Sequence, residues 1–186
     1  MKTIVVTGYK PMELGIYKND DQRIFYIKQT LKNKLAGLVE EGLEWVLISG
    51  QMGVELWAGE VVMDLKEAYD IQLGLLPPFI NQESRWPDDM KHQYEELTMV
   101  ADFYQPIYEK EYQGPYQFKA KDQFLIDHSE GVLMLYDEDT PGSPDFLRKK
   151  AIAAEEKGYK ILYITPFDLQ ETVEQIQMAD PDYWNQ

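Results

Sequence analysis

The chain has 186 residues, 44% of them hydrophobic and 13% aromatic, and a formal charge of −15 from 18 Lys and Arg against 33 Asp and Glu. The absence of cysteine excludes thiol nucleophiles, iron–sulfur ligation and cysteine-based zinc sites, and two histidines, His92 and His128, leave little room for histidine chemistry. A negative field of this size opposes backbone recognition of DNA or RNA, so nucleic acid is not an expected partner. The triplet Arg148-Lys149-Lys150 reads as a solvated helix face.

Met1 to Val6 lead straight into a strand pattern, with no cationic segment and apolar signal core, and no apolar stretch reaches membrane-span length. These features predict a cytoplasmic protein with no membrane span. A chain of this length buries roughly 70% of its unfolded surface, which predicts one domain over residues 1–186.

Short apolar runs alternate with longer amphipathic segments, the signature of βαβ units. The first strand is predicted at Thr3 to Thr7, followed by a helix whose stripe is Ile24, Ile27, Leu31, Leu35 and Leu38. Trp45 to Ser49 form the second strand, and Val54, Ala58, Val61, Leu65 and Ala68 the second helical stripe. A strand at Gln72 to Leu76 precedes a helix marked by Met90, Tyr94, Leu97 and Ala101, and a strand at Asp102 to Ile107 precedes a helix over Lys119 to Ser129. Gly131 to Tyr136, a helix over Ser143 to Lys157, Lys160 to Thr165 and a helix over Pro166 to Met178 complete the order. The fold class is therefore α/β, a Rossmann-like doubly wound sheet, mostly parallel, with helices on both faces. Ligands on such sheets lie outside the carboxyl ends of the strands, near the switch in strand order.

Thr7-Gly8-Tyr9-Lys10 follow the first strand, and Ser49-Gly50-Gln51-Met52-Gly53 run from the second into its helix. Two glycine turns on neighbouring strand ends predict a phosphate seat at exposed backbone amides, although each alone reads equally as a tight turn. Glu55 stands in the first helical turn, where it either complements the helix dipole or accepts ribose hydroxyls. Trp57 lies off its stripe and either packs on another helix or lines a pocket. Ser143 is a candidate N-cap with Pro144 at the first helical position, and the Gly142 and Ser143 amides are candidates for a second phosphate. Lys119 and Lys121 read either as cations that neutralise a phosphate held by the glycine loops or as a solvated helix face. No metal-ligand pattern is present, and the abundance of carboxylates leaves the catalytic residues unknown, with Glu55 and Asp122 as candidates.

Val6-Thr7-Gly8-Tyr9-Lys10, Ser49-Gly50-Gln51-Met52-Gly53-Val54-Glu55, Lys121-Asp122 and Pro141-Gly142-Ser143, in that order, resemble the SLOG superfamily, and within it the YpsA-like proteins of Gram-positive bacteria. The likeness covers nearly the whole chain. It implies a Rossmann-like domain, related to the DNA-processing protein A group and the LOG phosphoribohydrolases, whose glycine loops hold a nucleotide or an ADP-ribose-like ligand and no certain cofactor. By position it implies ligand contacts from Gly8, Lys10, Gly50 to Gly53, Glu55, Lys121, Asp122, Gly142 and Ser143. Where LOG hydrolases continue Pro-Gly-Gly with Gly-Thr and a catalytic Glu, this chain reads Pro144-Asp145-Phe146, and Lys121 stands where cousins carry Arg.

Those departures turn the expectation from a hydrolase to a nucleotide binder with a regulatory output, which the resemblance connects to cell division. An N-glycosidic hydrolase and a protein-interaction scaffold remain as alternatives. Dimerising cousins imply a homodimer as one assembly state, with any protein partner unknown. In this reading Gly53→Val blocks the ligand without unfolding the protein.

Overall fold

Runs such as Ile4-Val5-Val6 and Val46-Leu47-Ile48 have no face that tolerates water. In the computed structural model, which describes residues 1–182, they form the two central strands of a sheet covered on both sides. The strands are β1 (Thr3–Thr7), β2 (Trp45–Ile48), β3 (Gln72–Leu75), β4 (Phe103–Tyr104), β5 (Gly131–Leu135) and β6 (Lys160–Ile164). They lie in the order β4-β3-β2-β1-β5-β6, every pairing among them parallel, with Ile4 opposite Val46 on one side and Gly131 on the other.

The helices are α1 (Gln22–Glu40), α2 (Val54–Leu65), α3 (Asp88–Val100), α4 (Tyr116–Asp127), α5 (Asp145–Ala154) and α6 (Pro166–Ala179). Right-handed crossovers put α1, α2 and α3 on one face as the chain steps from β1 to β4, and α4 and α5 on the other as it returns through β5 to β6. The contacts follow suit: α1 packs on α2 and α6, α2 on α3, and α4 on α5. Asp21 caps α1 by accepting the Arg23 amide, and Thr165 caps α6 in a reciprocal box with Asp168.

The boundaries differ from the sequence pattern at three informative places. β4 shrinks to two residues at the sheet edge, where Pro106 lacks the amide a longer ladder needs. α5 starts at Asp145 with Pro144 at the N-cap, so Ser143 is not the cap; its amide serves Glu13 instead. A 3₁₀ turn over Pro11–Leu14, absent from the apolar pattern, carries that Glu13.

Sheet order reverses at β1, which pairs with β2 on one side and β5 on the other. The loops leaving β1 and β5 therefore diverge, and the crevice between them is where a doubly wound sheet offers room for a ligand.

Candidate functional site

Polar residues close the central strands at their carboxyl ends. Thr7 ends β1, Ser49 follows β2, and both hold Glu55, which α2 brings over them at 6% exposure. One Glu55 oxygen accepts the Ser49 amide and hydroxyl, each at 2.7 Å, and the other accepts the Thr7 hydroxyl at 3.1 Å. Three donors on a buried carboxylate make Glu55 a fixed acceptor, with lone-pair capacity left on the oxygen that meets Thr7.

The second glycine turn is a joint between loops. The Val54 amide donates to the Tyr9 carbonyl at 3.2 Å, and the Met52 amide to the Gln51 side chain at 2.9 Å. Gly53, at φ 93°, packs its bare Cα against the Tyr9 carbonyl and Pro11. Two of the amides at this turn, those of Met52 and Val54, are thus used inside the protein.

The Pro141-Gly142-Ser143 turn is occupied in the same way. The Gly142 amide donates to Asp145 at 2.9 Å, while the Ser143 and Lys10 amides each donate at 2.8 Å to the two Glu13 oxygens. Glu13 thereby ties the loop after β1 to the loop after β5. Burial pushes its carboxyl upward, but hydrogen bonds from Ser143 and the Lys10 amide, with the Lys10 charge, outweigh it and hold it below the usual value. A group depressed in the folded state stabilises above its unfolded pKa and loses that effect as pH falls through the folded one. A Glu13→Gln protein is expected to melt a few degrees below wild type at pH 7, for a loss of about 1 kcal/mol. That gap narrows as pH falls below the ordinary carboxyl value of about 4.3 and closes below the depressed folded pKa, which parallel melts at neutral and acid pH read directly.

A cavity of about 610 Å³ opens beside these loops, within the size range of small-molecule sites. Thr7, Gly8, Ser49 and Glu55 line it from the sheet, Phe118, Lys119, Lys121 and Asp122 from α4, and Ser143, Phe146, Lys149 and Lys150 from the start of α5. Lys10 makes the fifth lysine on the wall. Lys121 pairs with the neighbouring Asp122, its Nζ 2.7 Å from Oδ1, whereas Lys10, Lys119, Lys149 and Lys150 make no ion pair among the described residues. In a chain with 33 Asp and Glu, four such lysines around one cavity give its wall a locally positive character. Asp122 is 4% exposed, and its Oδ1 receives no directed hydrogen bond from the protein.

A family model described as the YspA SLOG family matches residues 4–169. The chain belongs to that family. A UPF0398 protein of Oceanobacillus iheyensis is 56% identical over the full length of both chains. The UPF0398 protein YpsA of Bacillus subtilis is 48% identical over 94% of this chain and 98% of its own. Among solved structures, DNA processing protein A from Helicobacter pylori, described by its single-stranded DNA binding mode, superposes with a TM-score of 0.54 at 15% identity. The superposition covers 94% of this chain and 80% of that one, and it establishes the Rossmann-like fold. It lends no support to the expectation that nucleic acid is excluded. Among the described residues no helix is long and apolar enough to cross a membrane, and no group of His, Asp and Glu is arranged to hold a metal ion.

In this YpsA-family chain, Gly8, Lys10, Gln51, Glu55, Lys119, Lys121, Asp122 and Ser143 lie on the cavity wall. Tyr9, Gly50, Met52, Gly53, Trp57 and Gly142 do not. Tyr9 is buried, its hydroxyl bridging the Asp137 and Thr140 carbonyls. Trp57 is buried in the α2 core, Gly50 meets the Tyr94 ring, and Gly142 is covered by Glu13 and Tyr9.

Sequence reading passed over Lys149, Lys150, Phe118, Phe146 and Gln82, all on the wall. The basic triplet was the available signal for the lysines, and α5 turns Lys149 and Lys150 of it towards the cavity. Gln82 comes from the loop after β3 and donates to the Ser49 carbonyl at 2.8 Å, a contact that no local pattern announces.

Proposed function

We propose that the cavity binds a phosphorylated nucleotide derivative of the ADP-ribose type and leaves it intact. The observation that carries this reading is the lysine wall facing two buried carboxylates at the sheet's switch point. Lys10, Lys119, Lys149 and Lys150 suit phosphates. Glu55, with lone-pair capacity to spare, and Asp122 Oδ1, without a directed donor, suit hydroxyls that donate, as those of a ribose do. Phe118 and Phe146, 36% and 73% exposed, offer faces for a base.

A general acid or base must be free to exchange a proton with substrate. Glu55 is held by three donors and Asp122 sits against an ammonium, which favours binding over N-glycosidic hydrolysis. A regulatory output, cell-division control included, rests on the family resemblance alone.

Thermal melts with AMP, ADP, ATP, NAD and ADP-ribose, followed by chromatography of the ligand, test the proposal. At about 100 times its dissociation constant a native-state ligand adds about 2.7 kcal/mol, or roughly 5–10 °C for a chain this size. A shift with intact ligand is the expected result, and release of a free base makes the protein a hydrolase. Flat curves with every nucleotide at millimolar concentration overturn the proposal. Glu55→Gln is expected to weaken ADP-ribose binding by about tenfold, the loss of one charge-assisted hydrogen bond, as calorimetric titration reads it.

A further inference from the structure

A second hollow shares part of its wall with the cavity. Lys149 and Lys150 line both, and the second is a groove of about 920 Å³ between α4 and α5 that reaches Lys157 and Lys160 at the amino end of β6. Phe146, Lys149, Lys150, Ala153 and Lys157 recur at steps of three and four, which keeps them on one face of α5 and the turn after it. Lys157 and Lys160 make no ion pair among the described residues. Two acids share the wall: Asp127 accepts the side-chain amide of Gln123, another wall residue, at 2.8 Å, and Glu130 is turned to the Lys2 amide and lies 3.8 Å from the chain's amino terminus.

From these features we infer that the ligand site extends beyond one nucleotide, and that the cavity and groove together hold a short single-stranded oligonucleotide. This rests on the nucleotide reading of the cavity. From Phe146 to Lys157 the helix face runs about 16 Å at 1.5 Å per residue, the length of about four to five stacked nucleotides at ~3.4 Å each. A single strand is bound by a cationic groove that follows its backbone together with aromatic faces that stack its bases. Here Lys149, Lys150, Lys157 and Lys160, none of them in an ion pair among the described residues, line the groove, and the exposed Phe118 and Phe146 stand at the cavity end. Net charge does not forbid this, because fields beyond about 10 Å are screened at 0.1 M salt, so the lysines nearest the strand set the local potential.

The test is fluorescence anisotropy with labelled oligo-dT and oligo-U of two, four and eight units, with calorimetric titration of AMP, on the wild-type protein and a Lys157→Glu/Lys160→Glu variant. Affinity is expected to rise at least tenfold from mononucleotide to tetramer and then level off. In the variant that gain disappears while AMP binding stays unchanged, and the salt slope falls by about 1.4 for two single-strand phosphate contacts.

Tetramer binding no tighter than AMP, or undiminished in the variant, overturns the inference and leaves the nucleotide reading intact. Tetramer binding that the variant loses, in a protein that does not bind AMP, upholds the groove and overturns the nucleotide reading. A labelled oligo-glutamate of matching charge that binds as tightly as oligo-dT also overturns the inference, since the groove would then read charge alone. An oligo-dU of the same length, which shares its base with oligo-U, identifies the sugar by which of the two binds more tightly.

Discussion

A Gly53→Val protein is expected to be severely destabilised, contrary to the sequence expectation that it would fold and simply exclude its ligand. Gly53 has φ 93°, a region that L side chains rarely occupy, and a Cβ there would stand 2.4 Å from the Tyr9 carbonyl and 2.9 Å from Pro11 Cδ. The backbone strain is worth about 1–3 kcal/mol, and overpacking the joint adds about 1–3 kcal/mol. The Val54 amide bond to Tyr9 would be pushed apart as well. Together these predict a melting temperature lower by roughly 10 °C or more. Melting within about 2 °C of wild type, with ligand binding lost, would instead return Gly53 to the ligand's side of the turn.

That reversal shows what was legible in the sequence and what was not. Strand identities were legible because an apolar run such as Val132-Leu133-Met134-Leu135 fits only a strand covered on both faces. The neighbourhood of the site was legible too, since the residues that end a parallel strand face the crevice wherever the helices lie. Which atoms face the ligand was not. Gly8 and Gly53 flank the same joint, yet Gly8 lines the cavity and Gly53 packs on Tyr9.

The deeper miss concerns who occupies the anion seats. Amides at the start of a helix bind whatever oxygen anion the fold presents, and this chain presents its own: Glu13 takes the Lys10 and Ser143 amides, and Asp145 takes Gly142. A glycine turn read from sequence marks a place where an anion can sit, without saying whether protein or ligand supplies it. Under the proposed reading the ligand's anion falls to cations on the wall: Lys10 from the loop after β1, Lys119 from α4, which crosses from edge strand β4 to β5, and Lys149 and Lys150 from α5. No local pattern encodes that convergence.

Lys121→Met is expected to lower stability by about 3–5 kcal/mol, because it leaves the buried Asp122 carboxylate without its cation. Lys121 and Asp122 are side by side on α4, their side chains 14% and 6% exposed, and the pair is held at 2.7 Å. Removing both charges removes the cause, so Lys121→Met/Asp122→Asn is expected to regain all but about 1 kcal/mol of the loss.

Ligand binding follows a different rule. The double variant lacks the Asp122 carboxylate that, in the proposed reading, accepts a ligand hydroxyl, so it is expected to bind ADP-ribose about tenfold more weakly than wild type, while melting close to it. A double variant as unstable as Lys121→Met would mean that the methionine itself packs badly. A stable double variant with full affinity would remove this pair from the ligand and leave it a structural element of α4. The two readouts separate because one measures an uncompensated charge in the folded protein and the other measures a group that the ligand alone would touch.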